Sequence, residues 1–396
     1  MPNIKEQAMI TTQDKAHRRL RVAMIGGGQG AFIGGVHRMA MRLDDRFELV
    51  AGVFSSDAER NVTTARALGI EPGRCYADHT ALLATEAAHE EGAEIMVIVT
   101  PNHLHFPVAL AGLQAGLHVV CEKPMTLTLA EAEQLARAVE ESKRCFLLTH
   151  NYAGYPLVQH ARELVDRGAL GRLRHVQVEY VQEWLSETPP DDNRQAAWRL
   201  DPAQAGAAGC LGDIGVHAFQ LAQFISGQRV SEVSAELITA IPGRVLDDNV
   251  QALLRFDGGA RGMLWASQTS PGFENELSIR VIGEKASLQW AQETPNELWF
   301  KPLNGPSRRL TRRDDALSDE VSRGIRLPGG HPEGYIEAFA NLYQALADKL
   351  SVDQPSAWLP GIDDGVDGMR FIAAALDSNR KQGAWTALMG AEIANE

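Results

Sequence analysis

Cysteine is scarce: the 396 residues hold four, Cys75, Cys121, Cys145 and Cys210. They are scattered, with no CxxC and no regular spacing, which argues against a disulfide framework or a zinc site and fits a reducing cytoplasm. No apolar run reaches the roughly 18 residues of a membrane span. The polar opening MPNIKEQAMITTQDKAHRR also lacks the apolar core of a signal peptide, so residues 1–19 read as a flexible N-terminal arm. Positive charge is short as well: 38 Lys and Arg stand against 51 Asp and Glu, a net −13, which argues against a nucleic-acid or anionic-membrane partner. Apart from His103 and His105, the twelve histidines do not gather with carboxylates at ligand spacing, so no metal is expected. What remains is a soluble protein of small-molecule chemistry.

A chain of this length exceeds one ordinary core and reads as two domains, at roughly 100 to 200 residues each. From Leu20, LRVAMIGGG is a strand ending in glycines, and GGVHRMAMRLDD follows with helical spacing. RFELVAGVFS repeats the strand, and SDAERNVTTARALG reads as a helix capped by Ser56 or Asp57 and stopped at Gly69. The strands AEIMVIVT, LHVVCEK and RCFLLTHN alternate with the helices HFPVALAGLQAG and TLAEAEQLARAVEES. Apolar strands alternating with helices predict a parallel sheet covered on both faces. After Asn151 the rhythm changes. The helix PLVQHARELVDRGALG leads into alternating segments, and the turns FDGGA and IGEKA join strands with no room for a crossover helix, so these strands are expected to be antiparallel. The expected division is a dinucleotide-binding α/β domain over residues 20–150 and an α+β domain over residues 151–396.

The glycine turn comprises Gly26, Gly27, Gly28, Gln29 and Gly30, then Gly34 and Gly35. Glycines between a strand and a helix let the backbone approach a pyrophosphate, and the helix N-terminus supplies N–H groups and a favourable dipole. GGGQGA fits the G-x-G-x-x-A fingerprint of a Rossmann fold, while FIGG lengthens the turn before the helix is established. Gly26, Gly28, Gln29, Phe32 and Ile33 are therefore candidate cofactor contacts. An acidic residue ending the second strand would bind the ribose 2′-hydroxyl. This chain offers Phe54, Ser55, Ser56 and Asp57, with Arg60 one turn on, so Ser55, Ser56 and Arg60 are the candidates and NAD versus NADP stays open.

VTPNHLHFP places Thr100, Asn102, His103 and His105 at the carboxyl edge of the sheet, where ligands bind in this architecture. For His103 alone a capped turn is the better account. VVCEKPM then sets Glu122 and Lys123 directly after an apolar strand. Such a pair is costly to bury unless paired or used, and a lysine there can donate to a developing alkoxide. GCLGDIGVHAF carries Asp213 and His217 four apart, on one helical face. They read either as a helix cap and a buried histidine or as a pair facing substrate.

In this order, the glycine turn, TPNHLH, CEKP and GDIGVH resemble the Gfo/Idh/MocA oxidoreductases over nearly the whole chain from Leu20. The resemblance implies a Rossmann domain followed by a large, mainly antiparallel open sheet, whose outer face often forms homodimers or homotetramers. It implies that Lys123 hydrogen-bonds the reacting oxygen, that Asp213 and His217 belong to the substrate-domain motif, and that Thr100, Asn102, His105 and Glu122 meet the cofactor. AAWRLDPAQAGAAGCLGDIGVHA together with HPEGYIEAFANLY is similar to the branch containing levoglucosan dehydrogenase and related sugar and cyclitol dehydrogenases. The implied activity is NAD(P)-dependent oxidation of a ring secondary hydroxyl on a sugar, anhydrosugar or cyclitol. In that scheme His217 is the general base, its ordinary pKa of about 6.5 lying close to working pH. Lys123 steadies the oxygen, and Asp213 binds a neighbouring hydroxyl or holds the lysine and substrate in register.

Tyr152, Arg194, Gln195, Trp198, Arg199, His331 and Glu333 form a further set for a polar wall. For several the plainer account is equal: Trp198 as core, Arg199 as a salt-bridge partner, His331 and Glu333 as an ordinary helix start. Cys121 and Cys210 read as small apolar fillers. Two rival functions remain: a redox-neutral NAD-dependent glycosidase on the same fold, and a non-catalytic cofactor-binding regulator. The intact Lys123, Asp213 and His217 argue against the second.

Overall fold

The computed structural model describes residues 18–190, 193–351 and 358–388. Residues 1–17 of the N-terminal arm lie outside them, while Arg18 and Arg19 are tied down, Arg18 to Glu94 by two hydrogen bonds of 2.6 and 2.7 Å and Arg19 to Asp45 at 2.9 Å.

Strands β1 (Leu20–Gly26), β2 (Phe47–Val53), β3 (Ile95–Val99), β4 (His118–Cys121) and β5 (Phe146–Leu148) form one parallel sheet in the order β2-β1-β3-β4-β5. β3 is buried at every position, as its unbroken apolar run IMVIV requires of a sheet covered on both faces. The helix Phe32–Leu43 starts directly after the glycine turn, so FIGG is its first turn and does not lengthen the loop. Close packing explains the glycine there: a Cβ on Gly34 would lie 2.4 Å from the Cα of Gly27. Asp57 is the cap of the helix Ala58–Ala67, its carboxylate accepting from the Arg60 N–H at 2.8 Å.

The second sheet has nine strands: β6 (Leu173–Val181), β7 (Val230–Ile238), β8 (Asn249–Phe256), β9 (Arg261–Ser267), β10 (Glu276–Gly283), β11 (Ala286–Ala291), β12 (Glu297–Pro302), β13 (Arg308–Thr311) and β14 (Thr386–Ala387). Their order is β13-β12-β11-β10-β6-β9-β8-β7-β14. All neighbours are antiparallel except β6 and β9, which run parallel. Alternation sorts the faces: Val250, Ala252, Leu254 and Phe256 of β8 are buried, whereas Leu253 and, on β9, Met263 are exposed. The inner face packs on the helices Val216–Ser226 and Ile362–Arg380, where Phe219 and Phe371 stack with centroids 4.3 Å apart.

The helix Tyr335–Ser351 returns to the first sheet. Its Phe339 and Tyr343 pack edge-on against His37 and Phe47, joining Leu342 and Leu346 to the core of β1 and β3. This return brings the two sheets to one cleft. No helix among the described residues is long and apolar enough to cross a membrane.

Candidate active site

Lys123 leaves the end of β4 and reaches the turn Leu211–Gly215, which is π-helical, a rare geometry that recurs at functional sites. The turn is pinned from behind by Asp247, whose carboxylate accepts from the N–H groups of Gly209 and Leu211, both at 2.7 Å. Burial pushes the Asp247 carboxyl up to about 6. Lys123 Nζ donates to the Asp213 carbonyl at 2.6 Å and to Asp213 Oδ1 at 2.9 Å. Asp213 Oδ2 accepts from Arg199 Nε at 3.1 Å and from Gln268 Nε2 at 2.8 Å. Burial alone would raise the Asp213 carboxyl; the charges of Arg199 and Lys123 overcome it and hold the group well below the usual carboxylate range. Asp213 is therefore no helix cap: the helix Val216–Ser226 has no side-chain cap.

His217 lies one turn on, its ring edge-on to Tyr152 at 5.0 Å and to His150 at 5.4 Å. Burial, reinforced by the charge of Lys123, holds its pKa well below 6.5, so the imidazole is neutral and able to accept a proton. Lys123, Tyr152, Arg199, Asp213 and His217 border a cleft of about 650 Å³ together with Phe32, Ile33, Tyr180, Asn275 and Tyr335.

A groove of about 630 Å³ runs from the cleft past the glycine turn, the two sharing Ile33, Thr100, Gln195, Trp198 and Arg199. Gly26, Gly28, Gln29, Ser55, Ser56 and Arg60 line it. Gly28 sits where a Cβ would fall 2.5 Å from the Phe54 carbonyl, and Gly30 where it would meet nothing. Thr100 Oγ1, where groove and cleft meet, and Asn102 Oδ1, at the cleft, are buried without a partner.

Other expected residues fall differently. His105 is buried with its ring nitrogens on the carbonyls of Pro124 (2.8 Å) and Thr100 (3.0 Å), so it ties two loops together and offers no free nitrogen to a cofactor. Glu122 borders the cleft, yet its carboxylate faces inward, accepting at Oε1 from His37 Nε2 (2.9 Å) and Thr149 Oγ1 (2.6 Å). Burial would raise it; those partners and Lys123 hold it low. Arg194 lines the groove and not the cleft. Trp198 is no core residue: it lines both spaces and carries the Arg199 guanidinium 4.2 Å over its ring. The structure does not bring His331 to the cleft. It is exposed, with Nδ1 3.1 Å from the Pro328 carbonyl, while Glu333 is buried against Arg312 at 2.9 Å. Both belong to the loop before the helix Tyr335–Ser351.

Sequence reasoning missed His37, His150, Tyr180, Gln182, Gln268 and Asn275. Gln268 and Tyr180 follow the inward alternation of β9 and β6, the one signal that could have found them. His37 bonds Tyr343 Oη at 2.6 Å across 306 positions, which no local pattern reveals.

Residues 20–150 match the family described as "Oxidoreductase family, NAD-binding Rossmann fold", and residues 158–289 match "GFO/IDH/MocA C-terminal domain". Among solved structures, an oxidoreductase from Sinorhizobium meliloti is 45% identical, covering 93% of this chain and 99% of that one, with a TM-score of 0.85. An inositol dehydrogenase homologue from Azotobacter vinelandii, complexed with NAD+, is 35% identical over 93% of this chain and 97% of that one, TM-score 0.90. Levoglucosan dehydrogenase of Pseudarthrobacter phenanthrenivorans is 29% identical over 71% of this chain and 76% of its own length. With the parallel sheet, the glycine groove and the large antiparallel sheet all present, the chain belongs to the Gfo/Idh/MocA family of NAD-binding oxidoreductases.

Proposed function

We propose that this oxidoreductase is a dehydrogenase that oxidises a secondary hydroxyl on a neutral sugar, anhydrosugar or cyclitol ring. The observation that carries the reading is the contact of Lys123 with Asp213, which joins the edge of the glycine-turn sheet to the second sheet beside a neutral His217. The similarity to an inositol dehydrogenase homologue and to levoglucosan dehydrogenase supports the polyol class. Residues 20–150 hold the coenzyme and residues 151–388 supply most of the substrate wall.

The groove fits a dinucleotide: Gly28 and Gly34 permit close backbone approach, the side of Gly30 is open, and the partnerless Thr100 Oγ1 supplies a polar group where groove and cleft meet. NAD, when bound, supplies the hydride acceptor. The Gly26–Gly30 turn and Thr100 hold it, with Ile33 at the passage into the cleft. His217 takes the hydroxyl proton as the carbon is oxidised, and Lys123 donates to the oxygen on which negative charge develops. Asp213 holds Lys123 in place and, through Arg199 and Gln268, is itself held.

The open face of the nine-stranded sheet is the surface through which copies pair, since Leu253 and Met263 are exposed on a broad concavity of about 1240 Å³. Light scattering reads the oligomeric state. The activity is tested by following nicotinamide absorbance with NAD or NADP against a panel led by myo-inositol and levoglucosan, with other cyclitols and aldoses. Reduction with at least one panel member is expected; silence across the panel counts against the reading.

A further inference from the structure

The cleft wall supplied by the second sheet contains a chain of hydrogen bonds with a fixed polarity. Asn275 Oδ1, just ahead of β10, accepts from the Tyr180 hydroxyl at 2.9 Å and from Gln182 Nε2 at 2.6 Å. Both donors come from β6 and the residue after it, which pairs with β10 through Val181 and Glu276. Tyr180 is hydrogen-bonded in turn to the Tyr152 hydroxyl. Because the Tyr180 proton points to Asn275, Tyr152 must be the donor in that bond. Burial pushes Tyr152 up to about 12 and Tyr180 well above the ordinary 10, so both phenols keep their protons and the chain keeps its direction.

Two donors fill the lone pairs of an amide oxygen. The rest of the Asn275 side chain is then an NH₂ group on the cleft surface, beside the Tyr152 hydroxyl, and one neighbour of that kind leaves at least one of its two N–H donors for a ligand. Tyr152, the far end of the chain, lies 5.0 Å ring to ring from His217, so the chain runs from the reacting centre outward. Charge narrows the ligand. The cleft is bordered by Lys123 and Arg199 but by three carboxylates, Asp213, Glu122 and Glu274, and both cations are already bonded to Asp213. Among the described residues that border the cleft, neither cation is without a carboxylate partner.

We propose that Asn275 is the specificity-determining contact of this cleft: its amide donates to a second hydroxyl of a neutral polyol, on a carbon other than the one oxidised. The inference rests on the dehydrogenase reading above. Tyr180 and Gln182 act as positioning residues, since they fix which atom of Asn275 faces the ligand.

The experiment uses the full chain and the panel polyol that it oxidises fastest, with the monodeoxy analogues and the uronic acid of that polyol. Wild type is compared with Asn275→Ala, and with Asn275→Ser should the first fail to fold; NAD affinity by tryptophan fluorescence and a thermal melt report folding. In wild type, one monodeoxy analogue should lose at least tenfold in kcat/KM. In the variant the parent polyol should fall by the same factor through KM, that analogue should lose nothing further, and NAD affinity should be unchanged. The uronic acid should be at least tenfold poorer than the parent. A variant that binds NAD and keeps the wild-type kcat/KM, or that still discriminates against the same analogue, overturns the role of Asn275 while leaving the dehydrogenase reading intact. A preferred uronic acid overturns the neutral class. Silence of wild type across the panel removes both readings together.

Discussion

The ammonium of Lys123 bonds both the backbone and the side chain of Asp213, at 2.6 and 2.9 Å, and so links two residues 90 positions apart, one just beyond β4 and the other in the π-helical turn Leu211–Gly215. The contact bears on the charge of Asp213: a carboxylate that burial would protonate stays ionised because Arg199 and Lys123 face it.

In the proposed mechanism, replacement of Lys123 by Met removes the donor to the reacting oxygen, while Arg199 and Gln268 still hold Asp213. From the cost of deleting one oxyanion donor, kcat should fall by about 10² to 10³. NAD affinity should change by less than about threefold, because the pyrophosphate is held elsewhere. Steady-state kinetics beside NAD titration separates the two.

His217→Ala should lower kcat by about 10² to 10⁴, the usual weight of one acid–base group. The pH profile carries the stronger test. Burial, Lys123 and His150 all favour the neutral ring and only Asp213 opposes them, so the acidic limb of kcat/KM should lie below 6.5. An acidic limb at 7 or above would exclude His217 as the base.

His150 is buried with both ring nitrogens unpartnered, and burial lowers its pKa from the ordinary 6.5 to about 3. Between these values the unfolded chain binds the extra proton and the native state refuses it, so stability rises with pH through this window. The stabilisation is present above 6.5 and is lost as pH falls. Going from pH 7 to pH 5 should cost about 2 kcal/mol from this residue. Urea unfolding at both pH values measures it, and His150→Asn should flatten the dependence.

Gly34 and Gly35 are neighbours in one helix with opposite surroundings. A Cβ on Gly34 would meet Gly27 Cα at 2.4 Å, whereas on Gly35 it would meet nothing within 4 Å. Gly34→Ala should shift the turn, weaken NAD binding at least tenfold and lower the melting temperature. Gly35→Ala should leave binding unchanged and stabilise by about 0.5 to 1 kcal/mol through helix propensity. A thermal melt with and without NAD reads both.

Much of this was legible before the fold was seen. The apolar run of β3 and the glycines after β1 are local signals, and a parallel sheet with a dinucleotide turn follows from them. His331 shows where such reading stops: its place beside a helix start suggested the wall, but the loop before that helix turns it to solvent. His105 has the right position and the wrong freedom, since both ring nitrogens are taken by backbone carbonyls. The parallel pairing of β6 with β9 was also out of reach, because hairpin turns specify only the strands they connect.

The sequence by itself determined the element types and the glycine turn, because periodicity and turn chemistry are properties of short segments, and family resemblance grouped Lys123, Asp213 and His217 as candidates. Only the tertiary structure decided what each group is bonded to. Asp213 proved a partner of Lys123 and Arg199 and no cap, Glu122 faces His37, and the oxygen of Asn275 is taken by Tyr180 and Gln182. Burial and hydrogen-bond direction depend on residues far apart in the chain, and those quantities fix charge and donor polarity at the site.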